Sequence, residues 1–238
     1  MEPDQGAAEA QGGTVDATAP PEGPPVDAAT AVAEILAALA YGETRGARRA
    51  RESVALAPDP RAREAQGHIA EREEQNCDLI RARLAELGRA ELMEQFRPFF
   101  DAFFDHTEPT DWLEAQAFHY MGDAIVSDFA EVLAPLVDRV SGEVVRHTLG
   151  DREDAEGFAL DELMRALRDH AEADERVRHY ARRIIGEAIT QTGRALEAGA
   201  GIRALLGGKE NEKQVVISLL ERHRQRLDRL GIEPVEED

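Results

Sequence analysis

The chain has 238 residues, of which 42% are apolar, so it is long enough to form one large domain or two small ones around a substantial core. Its formal net charge of −20 argues against a broad nucleic-acid interface, which needs a basic face. A single cysteine, Cys77, excludes an intramolecular disulfide, and the absence of a signal-peptide pattern or a run of about 18 apolar residues predicts a cytoplasmic protein that does not enter a membrane.

Helix-forming residues dominate the chain, and no stretch alternates as a strand would, so we expect an all-α fold. Residues 1–26 are acidic and rich in Pro, Gly and Ala, which predicts a disordered tail. The helical domain is predicted over residues 27–231 and an acidic C-terminal tail over 232–238. The first helix is predicted over about 27–55, and the second starts near Pro60, because proline cannot continue the first.

The remaining elements follow in order. An aromatic segment occupies 89–104, and helix three is expected over about 112–134. A fourth helix begins at Pro135, and a charged stretch interrupts it at 150–157. Two more helices are predicted over about 174–198 and 211–230.

Three of these helices place a glutamate in an apolar stripe. The second carries Glu73 on the same face as Ile69 and Ile80, with Asn76 one turn later. The first stripe comprises Val32, Leu36, Leu39 and Glu43, and the third comprises Glu114, Phe118, Met121, Ile125 and Phe129. A carboxylate is costly to bury unless a partner satisfies it, so three inward glutamates predict a functional or ion-paired centre.

Two interpretations of this centre are open. Helical bundles hold two metal ions with inward glutamates and Glu-x-x-His pairs, and carboxylate with imidazole suits iron or manganese. The i+3 partner of Glu73, however, is Asn76 rather than histidine. Alternatively, the glutamates pair with arginines in a metal-free bundle, and three arginines are available for this: Arg72, Arg152 and Arg183.

Several motifs occur in one order along the chain: Ala37–Glu43, Leu56–Pro58, Asp111–Glu114, Tyr120–Asp123, Ser127–Phe129 and Arg182–Ala188. Over roughly residues 30–230 they resemble the actinobacterial ferritin-like proteins, which are grouped with MiaE-type tRNA hydroxylases. The resemblance implies a ferritin-like four-helix bundle with additional C-terminal helices, and a di-iron centre that hydroxylates a modified adenosine in tRNA.

The same resemblance implies the positions of the metal ligands. It makes Glu43, Glu73 and Glu114 the acids of the first three helices and puts the second-helix histidine on Asn76. The acid and histidine of the fourth helix fall near Arg152 and Ala155, where Asp151 or Asp154 could replace the acid. The implied ligand set is therefore incomplete.

We accordingly expect a ferritin-like bundle with a degenerate metal site, acting as a structural or interaction module. Its partner would be another protein or, in a homodimer, a second copy. The alternative is an active di-iron hydroxylase that uses Glu43, Glu73 and Glu114. The acidic charge disfavours tRNA as its substrate, although a basic cluster at Arg45–Arg51 offers one local contact surface.

Overall fold

The computed structural model describes residues 27–150 and 152–233. Ten α-helices lie within these ranges: α1 (Ala28–Ser53), α2 (Pro60–Glu86), α3 (Met93–His106), α4 (Trp112–Ala117), α5 (Asp123–Leu133), α6 (Arg139–Gly150), α7 (Glu153–Asp169), α8 (Ala173–Ala198), α9 (Ala200–Leu206) and α10 (Lys209–Leu230). Short 3-10 turns occupy Val54–Leu56, Ala90–Leu92 and Ala134–Leu136. The described ranges contain no strand, which confirms the predicted all-α class.

Four helical rods form the central bundle, and α1 packs along α2 as the first pair. The third rod runs from α4 into α5 through one π-helical turn, Phe118–Gly122. The fourth consists of α6 and α7, which a short break separates. The remaining helices surround this core, with α3 and α8 packed on each other, α9 on α1 and α10 on α5.

Local sequence signals set the helix starts. Asp27 caps α1 by accepting from the Thr30 N–H at 2.8 Å, and Asp59 caps α2 by accepting from the Ala62 N–H at 2.8 Å. Pro60 is the first residue of α2, where its missing N–H costs nothing. These caps explain why the predicted starts of the first two helices agree with the structure.

The apolar stripes that periodicity predicted form the core of the bundle. The first half of α1 is almost fully buried and shares one core with Ile80 and Leu84 of α2, and Ile69 of α2 is also buried. The predicted stripe of the third helix is buried at Phe118, Met121 and Ile125.

The terminal predictions fall mostly outside the structure. Residues 1–26 and 234–238 lie beyond the described residues. Ile232, which we assigned to the C-terminal tail, has a buried side chain that packs into the core. None of the helices in the described ranges is long and apolar enough to cross a membrane.

Candidate functional site

Two of the three predicted glutamates meet at one guanidinium group. Arg152 Nη2 donates to Glu43 Oε2 at 2.5 Å and lies 3.6 Å from Glu73 Oε2. Glu43 of α1 is 3% exposed, and Glu73 of α2 is also largely buried. The site is therefore a buried cluster in which one cation faces two carboxylates from neighbouring helices.

The break between α6 and α7 positions Arg152. The residue directly precedes α7, and its Nη1 donates to Ser127 Oγ at 2.8 Å and to the Asp123 carbonyl at 3.3 Å. The predicted charged interruption at 150–157 is thus shorter than expected, since helix resumes at Glu153. This short break directs the arginine into the bundle.

Glu114 does not join this cluster. Its Oε2 accepts from the Thr110 N–H at 2.8 Å and from Thr110 Oγ1 at 2.9 Å, and it lies 3.7 Å from Arg183 Nη2. Asp111 in turn accepts from the Glu114 N–H at 3.1 Å. The Asp111-x-x-Glu114 spacing is thus a helix-capping signal, and the predicted convergence of three glutamates is corrected to two.

Asp123 is the acid that the third rod contributes instead. It lines the same cavity as Glu73 and Arg152, and its carboxylate raises the pKa of both groups. Asp123 follows Glu114 by nine positions, about two and a half turns of α-helix, so a regular helix would put them on opposite faces. The π-helical turn between them adds a residue to one turn, so a single α-helical period does not relate the directions of the two acids. Periodicity alone therefore missed Asp123.

His119 lies in that π-helical turn and pairs with Asp123. Its Nδ1 is 2.7 Å from Asp123 Oδ2, and its Nε2 is 2.9 Å from Ser53 Oγ. Ser53 Oγ donates its hydrogen to the Arg49 carbonyl at 2.9 Å, so it accepts from His119. His119 therefore links Asp123 of the third rod to Ser53 of α1, and its Nε2 also lies 3.4 Å from Gln66 Nε2.

The other predicted site residues take separate places. Asn76 is 3% exposed and follows Glu73 by one turn of α2. Asp154 is exposed and pairs with Arg72 at 2.9 Å, so it does not enter the cluster. Asp151 lies outside the described residues. That any of Glu43, Glu73, Asn76 and Glu114 binds a metal remains a prediction.

Burial and charge give the cluster unusual protonation properties. Burial raises the pKa of Glu73 to about 7, Arg152 opposes this shift, and Glu43 and Asp123 add to it. Burial alone would lower the pKa of Arg152, but the Glu43, Glu73 and Asp123 carboxylates hold it above its ordinary value. Arg152 therefore stays charged, while Glu73 exchanges a proton near neutral pH.

The residues present do not fit a di-iron centre. Within residues 27–150 and 152–233, no group of three or more His, Cys, Asp or Glu side chains is arranged to hold a metal ion. A guanidinium contacts the two converging glutamates, and the implied histidine positions carry Asn76 and Ala155. The observed cluster matches the alternative interpretation in which arginines satisfy the glutamates.

No curated protein matches the sequence. Among solved structures, protein 19 with aldehyde deformylating oxidase activity from Synechococcus superposes with a TM-score of 0.67 at 20% sequence identity, covering 89% of this chain and 96% of the other. That likeness shows the shared fold and confirms the predicted ferritin-like bundle with additional C-terminal helices.

The family comparison extends over most of the sequence. The family described as "Ferritin-like domain, actinomycetes" matches residues 27–209, from the start of α1 to the start of α10. The matched region contains every residue of the Arg152 cluster. The chain therefore belongs to the ferritin-like domain family of actinomycetes.

Proposed function

We propose that this protein is a ferritin-like bundle in which Arg152 replaces the metal centre, and that it acts as a structural or interaction module. The observation that supports this most directly is the position of one guanidinium, 2.5 Å from Glu43 and 3.6 Å from Glu73. These are two of the three acids that the family resemblance assigns to metal binding. An internal cation already compensates them.

Electrostatics favours the arginine over a metal ion. Two unit positive charges about 4 Å apart repel by about 4 kcal/mol at an effective dielectric constant of 20. A divalent ion at that distance from Arg152 would therefore bind less favourably, by about 8 kcal/mol, than it would to the same carboxylates without the arginine. The Asn76 amide and the Ala155 methyl group supply no imidazole to offset that loss.

Metal analysis of three proteins tests this proposal. The wild-type chain, Arg152→Glu and the double variant Arg152→Glu/Asn76→His are incubated with ferrous iron, desalted and analysed for retained metal. We expect no stoichiometric iron in the wild type and increased retention in the variants, because they remove the cation and add ligands. Arg72→Glu is the matched control, since Arg72 pairs with exposed Asp154.

A second candidate function is a di-iron oxygenase. It is favoured by one observation, that Glu43 and Glu73 meet in the core of the bundle. About two irons per wild-type chain after desalting, together with iron-dependent oxygen consumption, would establish it in place of the first. In that case Glu73→Ala should abolish retention of the metal.

The basic cluster on α1 gives little support to tRNA as a substrate. Each of its four arginines has a local partner: Arg45 pairs with Asp101 and Asp105, Arg48 with Glu52, Arg51 with Glu74, and Arg49 donates to the Thr107 and Phe104 carbonyls. A phosphate would have to compete with these partners. We therefore expect a protein partner, or a second copy of this chain, and sedimentation of the full chain at several concentrations tests the homodimer.

A further inference from the structure

A polar cavity of about 240 Å³ adjoins the Arg152 cluster. It lies between α2, the α4–α5 rod, α7 and α10, and its wall includes Glu73, Asp123 and Gln116. The volume is well above the roughly 10–15 Å³ that a single water needs. The cavity therefore has room for a small molecule beside the cluster.

Gln116 presents a buried acceptor at this cavity. The residue is 1% exposed, its Nε2 donates to Gln66 Oε1 at 3.1 Å, and its Oε1 has no hydrogen-bond partner among the described residues. Gln66 Nε2 donates to the Ala50 carbonyl at 3.3 Å, which fixes the orientation of both amides. The unpartnered atom of Gln116 is therefore an oxygen that requires a donor.

Glu73 supplies a second acceptor. Within the described ranges its carboxylate accepts no hydrogen bond, and its nearest cationic atom is Arg152 Nη2 at 3.6 Å, which donates to Glu43 instead. Because Glu73 lines the cavity, its carboxylate is available to a ligand there. A ligand with N–H donors would satisfy both Glu73 and Gln116.

The charges of the residues that line the cavity determine whether it attracts a cation or an anion. Six carboxylates and two guanidinium groups line the cavity, and Arg226, one of the two arginines, is already bound to Asp128 at 2.7 Å. The excess of acid attracts a cation. Because Arg152 adds a fixed positive charge, a singly charged ammonium is favoured over a compact divalent metal ion.

We propose that this cavity binds a small aliphatic amine, whose primary ammonium donates to Gln116 Oε1 and Glu73. An ammonium has three N–H donors, which matches an amide oxygen plus a carboxylate. Glu153 and Glu156, which also line the cavity, give a second amino group a place to interact. The inference rests on the proposed function, because a cavity that held metal ions would leave no room for the amine.

Calorimetric titration of the full chain with 1,4-diaminobutane tests this proposal, with 1,4-butanediol as the uncharged control ligand. We expect the diamine to bind and the diol not to bind. Gln116→Leu removes the acceptor and should raise Kd at least tenfold, about 1.4 kcal/mol. Gln116→Glu keeps the size of the side chain, adds negative charge and should lower Kd, which provides a second variant if Gln116→Leu fails to fold.

The controls separate the outcomes. Gln191→Leu alters another buried glutamine, in the apolar region between α3 and α8, and should leave Kd unchanged. The inference is overturned if Gln116→Leu, Gln116→Glu and Gln191→Leu all bind the diamine with equal affinity. Binding of the diol as tightly as the diamine, or no binding of the diamine to the wild type, would also overturn it. Metal analysis of the same preparation separates the two proposals. Retained iron would contradict the proposed function, whereas absence of amine binding without retained iron would contradict only this inference.

Discussion

Arg152 and Glu43 form a hydrogen-bonded ion pair across 109 positions of sequence, with 2.5 Å between Nη2 and Oε2. The pair joins the first and fourth rods of the bundle at a depth where Glu43 is 3% exposed. Replacing a buried pair with apolar groups is often neutral, whereas removing one partner leaves a buried charge. The pair therefore contributes more to the specific packing of the first rod against the fourth than to the net stability of the protein.

Arg152→Met should lower the free energy of unfolding by about 3–5 kcal/mol, because it leaves Glu43 buried without a cation. Glu43→Leu added to that variant should recover much of the loss. Urea denaturation measures both. Arg72→Met is the control and should cost less than about 1 kcal/mol, since its partner Asp154 is exposed. A loss for Arg152→Met as small as that of the control would contradict the assigned role.

Glu73→Gln should change how stability depends on pH. The pKa of Glu73 is raised from 4.5 to about 7 in the folded state, so between these values the native protein binds more protons than the unfolded chain. Glu73 therefore contributes a loss of stability as pH rises from 4.5 to 7, and Glu73→Gln abolishes that contribution. Relative to wild type, the variant should gain about 1–3 kcal/mol between pH 4 and pH 8.

Denaturation curves at pH 4, 5.5 and 8 measure this difference. Glu74→Gln is the control, because Glu74 is half exposed and pairs with Arg51 on the surface. If the Glu73→Gln and wild-type stabilities run parallel with pH, the shifted pKa is refuted.

His223 predicts an opposite dependence in the acid range. It is buried, both ring nitrogens lack a partner among the described residues, and burial with the nearby Arg226 lowers its pKa from 6.5 to about 4. Below pH 6.5 the unfolded chain takes up a proton that the native state refuses, so stability falls as pH drops towards 4.

His223→Leu should flatten this part of the curve, with a difference on the order of 2–3 kcal/mol between pH 7 and pH 4. Thermal or urea unfolding at both pH values measures it. His68→Gln, at an exposed position on α2, should leave the acid dependence as it is in wild type. A variant with the wild-type slope would show that His223 does not titrate in this range.

Asp128 should determine how firmly α10 is held on α5. Its two carboxylate oxygens accept from Arg226 at 2.7 and 3.0 Å, and Arg222 donates to it at 3.0 Å. Asp128→Ala leaves Arg226 largely buried without its main partner, so amide exchange should accelerate in α10 more than in α1 or α2. Glu131→Ala, which removes an exposed partner of Arg222, should have a smaller effect. Uniform acceleration along the chain would indicate global destabilisation instead.

Two glycines should respond to alanine in opposite directions. A Cβ on Gly201 would lie 2.7 Å from the backbone Cα of Ala31, where α9 packs against α1. Gly201→Ala should therefore destabilise the protein by about 1–3 kcal/mol. Gly193 on α8 has nothing within 4 Å of such a Cβ, so Gly193→Ala should stabilise by about 0.5–1 kcal/mol. Thermal unfolding compares the two, and changes of equal sign would contradict the packing.

The sequence by itself determined where the first two helices start and which of their faces are buried. Periodicity located the stripes that carry Glu43 and Glu73 because both residues lie in uninterrupted α-helices. In such a helix the position in the sequence determines the direction in which each side chain leaves the helix. Capping residues located the helix starts because their hydrogen bonds join residues only three positions apart. These are local relations, and the sequence contains them directly.

Only the tertiary structure decided what the glutamates meet. Glu114 is bound by the Thr110 turn outside the site, and Asp123, which follows the π-helical turn at Phe118–Gly122, lies beside Glu73 and Arg152 instead. The short break before α7 then brings Arg152, 109 positions from Glu43, into the place that the pattern of acids had suggested for a metal. Both effects depend on how the helical rods pack against one another. The regular α-helical spacing of residues does not predict a π-helical turn, in which that spacing changes.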